Sequence, residues 1–342
     1  MAFLRRGRQD PAAGTVAFWA RWAVLAGPAD EAIRSGQAES LLGELSSLVN
    51  AVHPGLSWEL APGSTSRHTL VVTAGGDAEL RATARRWLRA APAADAVWTY
   101  ADTRPRAVNP TGVTLTIDGT EIALAAVRVV LTVGPDAVDV VMHHPAFPQL
   151  PDRATVRVAF LVLDTVLGEA DVECWIGEVL TTPAPHPEAV GLADLVTAVD
   201  HLRAEVTGPT GERGWVLLRA HAPNGDVIMA GAARPLRPMS APHLDTHVRI
   251  DVPYPDRGDG LPGQSVLADL HALGLHIRTT IDGSGELLGE ETTRGLRTLH
   301  VYTDSTTPTV EQLRACVGGW PYGAVAIHAE PDAPWKAVAH LR

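Results

Sequence analysis

From Glu286 to Trp335 the apolar and polar positions follow the order strand, turn, strand, helix, strand. Glu286 to Thr292 leads to Arg294-Gly295, a pair suited to a tight hairpin because glycine tolerates positive φ. Leu299 and Val301 then alternate with His300 and Tyr302, the period-two pattern of a strand with one buried face. Thr307 can cap a following helix and Pro308 suits its first turn. Val310, Leu313 and Val317 form one stripe along that helix. Gly318-Gly319 stops it, and Val325 and Ile327 alternate through a last strand ending at Pro331.

Two earlier stretches show the same order. One has strands at 56–60 and 68–73, a helix capped by Asp77 with Leu80, Ala84 and Trp87 inward, and a strand at 96–100. The other runs from Ile122 to Leu180: Val127, Val129, Leu131 and Val133 alternate, Gly134-Pro135 turns, and Val138, Val140 and Met142 return. A helix from Asp152, apolar nearly all round, ends at Gly168, and 172–179 reads as a closing strand. Helices precede these units: one at 16–25 carrying Phe18, Trp19 and Trp22 and broken by Pro28, and one carrying Leu41, Leu45, Leu48 and Val52. The expected fold class is α+β, as tandem ferredoxin-like (strand-strand-helix-strand) units with antiparallel sheets and helices on one face.

Thr181 to Pro187 is rich in proline and reads as a spacer, which predicts an N-terminal domain over 1–185 and a C-terminal domain over 186–342. In the latter, Leu192, Leu195, Val199, Leu202 and Val206 mark a helix, 215–220 and 227–232 a hairpin, and 248–252 a strand. A loop at 253–263 leads to a helix with Val266, Leu270, Leu273, Ile277 and Ile281 on one side.

Within that domain, four stretches resemble a bacterial domain family of unknown function whose members end in a module similar to RraB, the regulator of ribonuclease E activity B. They are His247-Val248-Arg249-Ile250-Asp251-Val252-Pro253-Tyr254, Gly260-Leu261-Pro262, the run from Glu290-Glu291-Thr292 to His300-Val301-Tyr302, and Asp332-Ala333-Pro334-Trp335. The resemblance covers roughly residues 212–342, with the RraB-like module at about 264–342. It implies a ferredoxin-like module and, for the best-known relative, inhibition of an RNA-degrading enzyme through binding the protein rather than its RNA.

The chain has 342 residues, 46% hydrophobic and 20% charged, which suits about two globular domains. Its formal charge is −11, spread over both halves, so the basic footprint that nucleic-acid phosphates or an anionic membrane require is lacking. No DNA partner is expected, nor direct RNA contact, nor a membrane. No apolar run reaches the roughly 20 residues of a bilayer span, and the basic start lacks a signal-peptide core, so the expected location is the cytoplasm. Cys174 and Cys316 are expected to be packing thiols.

Local chemical signatures are sparse. G-x-S-x-G, H-E-x-x-H and C-x-x-C do not occur. His143-His144 point to opposite faces if extended and are expected at a strand end. Asp171, Glu173 and Glu178 read as a solvated edge, and Gly75-Gly76-Asp77 as turn plus cap. His328 and Glu330 can share a face, with no third metal ligand nearby in sequence. No catalytic residue, cofactor or metal is assigned. The expectation is a non-catalytic protein-interaction or regulatory protein; the alternative is an enzyme or small-ligand binder whose site is assembled from distant residues. Strand alternation puts Thr298, His300, Tyr302, His328 and Glu330 on the sheet face opposite the helices, the candidate face for a protein partner.

Overall fold

A computed structural model of the chain describes residues 10–117, 119–208, 211–222 and 225–342. It is mixed α and β, with several small sheets, and no helix among the described residues is long and apolar enough to cross a membrane. The chain forms two compact units. One comprises Met1–Leu131, Val140–Val172 and Glu178–Val196; the other comprises Thr132–Asp139, Glu173–Gly177 and Thr197–Arg342.

The first unit opens with helices α1 (Pro11–Arg34) and α2 (Leu42–Val52). Asp10 caps α1 through its carboxylate on the Ala12 N–H. The helix continues through Pro28 rather than breaking there. The bond that Pro28 forfeits would reach the carbonyl of Val24, whose side chain is 65% exposed, a side of the helix on which water can replace it. Strands β1 (Ser57–Pro62) and β2 (His68–Thr73) pair antiparallel, helix α3 (Arg81–Arg89) follows, and β3 (Trp98–Ala101) pairs with β2 in parallel. Phe18, Trp22, Leu45, Trp87 and Trp98 meet in one core, with Trp19 stacked 4.6 Å from Trp87. The N-terminal tryptophans are therefore packing residues.

Strands β4 (Thr114–Ile117) and β5 (Thr120–Ala123) form a separate hairpin. Next come β6 (Arg128–Val133), β7 (Val138–His143), helix α4 (Asp152–Leu167), helix α5 (Glu169–Trp175) and β8 (Ile176–Thr182), with strand order β6-β7-β8. The stretch at 172–175, expected as strand, is helical. Gly168 at φ 82° ends α4 and the chain restarts as a helix that buries Val172, Cys174 and Trp175.

Helix α6 (Leu192–Val206) contains the main division, between Val196 and Thr197. The proline-rich stretch runs between two anchored points, the end of β8 at Thr182 and Val190, which exchanges backbone hydrogen bonds of 2.8 and 3.0 Å with Val129. In the second unit, β9 (Gly214–His221), β10 (Val227–Arg234), β11 (Thr246–Pro253), helix α7 (Gln264–Thr280), β12 (Gly285–Thr293), β13 (Leu296–Thr303), helix α8 (Thr309–Cys316) and β14 (Ala326–Pro331) build a six-stranded sheet. Its order is β14-β11-β13-β12-β10-β9. The β12–β13 turn places Arg294 at φ 49° and Gly295 at φ 71°, the twist a two-residue hairpin needs.

The three strand-strand-helix-strand segments do not share one arrangement. In the first two the third strand lies beside the second, whereas β14 is separated from β13 by β11. The element order β11-α7-β12-β13-α8-β14 explains this: the central strand β11 precedes residue 264 and fills the place between them. The parallel β2–β3 pair likewise departs from the all-antiparallel expectation.

One face of the six-stranded sheet packs Val248, Ile250, Leu299 and Val301 against Val266, Leu270 and Ile277 of α7 and Leu313 of α8. A bulge between Leu287 and Gly289 leaves the adjacent Leu288 and Gly289 both on the other face. There Leu288 and Tyr302 pack beneath Leu236, Leu244, Trp335, Val338 and Leu341, the last two on a short 3-10 turn, Lys336–Leu341. Gly289 lies directly under this cover: a Cβ there would stand 2.7 Å from Leu341 Cδ1 and oblige the end of that side chain to shift.

Candidate metal centre

On the covered face the antiparallel register sets Glu291 opposite Thr298 and Gly289 opposite His300, so Glu291 and His300 are diagonal neighbours on one side of the sheet. The 3-10 turn brings His340 over them. Glu291 accepts from His340 Nε2 at 2.9 Å through one carboxylate oxygen and lies 3.4 Å from His300 Nε2 through the other. One ligand atom from each of Glu291, His300 and His340 falls within 4.8 Å of the other two. Exposure rises across the set: the His300 side chain is 6% exposed, Glu291 26% and His340 53%.

Behind this triad sits His247, buried on β11, with Nε2 3.0 Å from His300 Nδ1 and the two rings stacked at 16°. Burial and the neighbouring His300 pull the His247 imidazole down to about 4, so it is neutral near pH 7. Glu291 is held at about 2, chiefly by the hydrogen bond with His300 and next by that with His340, against the opposing effect of burial. The carboxylate is therefore ionised, a requirement for a metal ligand. Beside His247, the fully buried Tyr302 donates to Asp332 Oδ2 at 2.6 Å, and burial together with that carboxylate raises the phenol well above its ordinary range. Asp332 also accepts from the backbone N–H groups of Lys336 and Ala337, which fixes the start of the 3-10 turn.

Two imidazoles and one carboxylate form a donor set for divalent transition metals such as Zn²⁺, Fe²⁺, Co²⁺ or Ni²⁺, and suit Ca²⁺ or Mg²⁺ poorly. Bonds of about 2.1 Å would put tetrahedral ligand atoms roughly 3.4 Å apart, so the three atoms, now within 4.8 Å of one another, would draw together around an ion. With three protein ligands, further coordination positions are left for water or another ligand.

The five residues assigned to an interaction face do share one side of the sheet, since Arg249 opposes both His300 and His328 and His247 opposes both Tyr302 and Glu330. Exposure divides them. Thr298, His300 and Tyr302 are 8%, 5% and 0% exposed, so they are not an open surface: Tyr302 lies under Trp335, His300 lies 6.1 Å from the His340 ring, and Thr298 donates to Asp251 at 2.7 Å. His328 and Glu330 are exposed on the edge strand β14. Among the described residues they meet no third metal ligand; Glu330 instead lies 4.0 Å from His247 Nδ1.

The remaining sequence candidates have structural roles. His143 bonds the Thr182 carbonyl at 3.1 Å, and His144 accepts from the Ala146 N–H at 3.1 Å, as expected of a strand end. Asp171 receives Arg106 at 2.9 Å. Asp77 caps the Glu79 N–H. Cys174 and Cys316 are both free thiols. The sequence reading reached His300 but not its partners. Glu291 could have been counted across the Arg294-Gly295 turn, whereas nothing local marks His340 as its neighbour.

No family model and no curated protein matches the chain. Among solved structures, it is similar to a conserved hypothetical protein from Aquifex aeolicus at 13% identity and a TM-score of 0.15. That match covers 41% of this chain and 58% of the Aquifex chain.

Proposed function

We propose that the C-terminal unit binds a divalent transition metal through Glu291, His300 and His340, and that the metal pins the C-terminal turn to the sheet. The observation that carries this is the convergence of three ligand atoms from β12, β13 and the 3-10 turn within 4.8 Å. Without metal, Glu291 needs an N–H from both His300 Nε2 and His340 Nε2. With metal, His300 Nε2 offers its lone pair, and the proton on Nδ1 points at His247 Nε2. Neutral His247 accepts that proton's hydrogen bond, so it fixes the ring of His300 from behind. Stoichiometric binding of Zn²⁺ or Co²⁺ to metal-free protein is the expected result in calorimetry, and Glu291→Gln and His300→Ala should each abolish it at micromolar metal. Full binding by both variants would overturn the reading.

The earlier regulatory reading keeps one observation in its favour, the exposed outer edge of β14. In that reading a bacterial, RraB-like module of ferredoxin-like topology acts in the cytoplasm by adding an extended segment of a protein partner beside His328 and Glu330. Unchanged capture of every partner by a His328→Ala, Glu330→Ala double variant would sink it.

A further inference from the structure

The N-terminal unit contains a cavity of about 600 Å³, within the range of roughly 300–1,000 Å³ common for small-molecule sites. Pro62, Val108, Val113 and Leu161 give it apolar walls, and Asp164 and Arg104 stand among its polar groups. The charged groups differ in whether they already have partners. Arg104 Nε donates to Glu59 at 2.9 Å, and Arg106 donates to Asp171 at 2.9 Å and to the Leu167 carbonyl at 3.1 Å. The Asp164 carboxyl makes no hydrogen bond or ion pair with any described residue. Burial and then the nearby Glu169 push it above the usual carboxylate range, and Arg104 offsets this only in part.

Its place on the helix compounds the problem. Asp164 lies in the last turn of α4, where the unpaired carbonyl ends already present negative charge. A half-buried carboxylate held here weakens the fold, and Arg104 matches only part of its charge, so a cation entering from the cavity would be favoured beside it. An anion would meet Arg104 and Arg106 with part of their charge already matched, by Glu59 and Asp171.

We infer that this cavity binds an organic ammonium ion, its charged nitrogen on Asp164 and its apolar chain along Leu161 and Val113. A primary amine supplies up to three N–H donors, enough for the carboxylate and a neighbouring carbonyl, while a hydrocarbon tail removes apolar wall from water.

The test uses the whole protein and three probes of one length: n-hexylamine, hexan-1-ol and hexanoate. Backbone amide shifts at Val113, Leu161 and Thr165 should titrate saturably with the amine, at least about tenfold more tightly than with the alcohol. Hexanoate should give no saturable shift there. Asp164→Asn should bring the amine down to the affinity of the alcohol and leave the melting temperature equal or raised, because the removed charge had no partner. Equal affinity for all three probes would overturn the inference, and that comparison needs no variant. So would unchanged amine binding in Asp164→Asn, or a lowered melting temperature, which would make Asp164 an ordinary structural carboxylate.

Discussion

His247 shows how one buried side chain links stability to pH. Its neighbours are His300 on β13, Arg249 on its own strand, Glu330 on β14 and Asp332 beyond it. Its folded value of about 4 lies below the ordinary 6.5, so as pH falls the unfolded chain takes up the proton first. In metal-free protein this part of the stability is intact above about pH 6.5, declines towards pH 4 and then levels off. Glu291 acts in a lower window: its contribution is present above the ordinary carboxylate value of 4.5 and is lost as pH falls through about 2. Amide exchange on β11 and β13 from pH 7.5 to 4, corrected for intrinsic rates, should show the first decline. His247→Phe should flatten it, while costing about 1–3 kcal/mol because His300 Nδ1 loses its partner. An unchanged slope in that variant would assign the decline to another group.

Single elements were legible where local chemistry decides them. Arg294-Gly295 specifies its own turn, and the alternation of Leu299 and Val301 fixes which side chains of β13 meet the helices. What covers the opposite side was not legible, because alternation says which residues leave the helical face and nothing about what they meet there. The 3-10 turn buries Val338 and Leu341 at i and i+3, a signal too short to separate from coil, and Trp335 precedes it at φ 54°. Trp335 is the anchor: it is fully buried, donates to the Leu244 carbonyl at 2.8 Å and lies 5.0 Å from the Tyr302 ring. Trp335→Ala should cost about 3–5 kcal/mol, expose Tyr302 and weaken metal binding by detaching His340. Amide exchange across β13 together with Zn²⁺ titration checks both effects. Full metal affinity in the variant would show that His340 is placed independently of Trp335.

At the scale of the whole molecule, the order of elements was easier to read than their pairing. Strand-strand-helix-strand does not say whether the last strand returns beside the second or beyond a strand from earlier in the chain, and β14 takes the latter course next to β11. The same long-range placement assembles the candidate centre from residues 291, 300 and 340, and the ammonium cavity from residues as far apart as Pro62 and Asp164. Each site belongs to one compact unit. A ligand stabilises the state that binds it by about 2.7 kcal/mol at a free concentration 100-fold above Kd, which slows exchange through opening of that state about 100-fold. Zn²⁺ at that excess should therefore slow exchange in β11, β12 and β13 while leaving β2 and α4 unchanged, and hexylamine should protect α4 while leaving β13 unchanged. If Zn²⁺ instead protected α4 with no effect on β13, the metal would be bound elsewhere and the assignment of Glu291, His300 and His340 would fail.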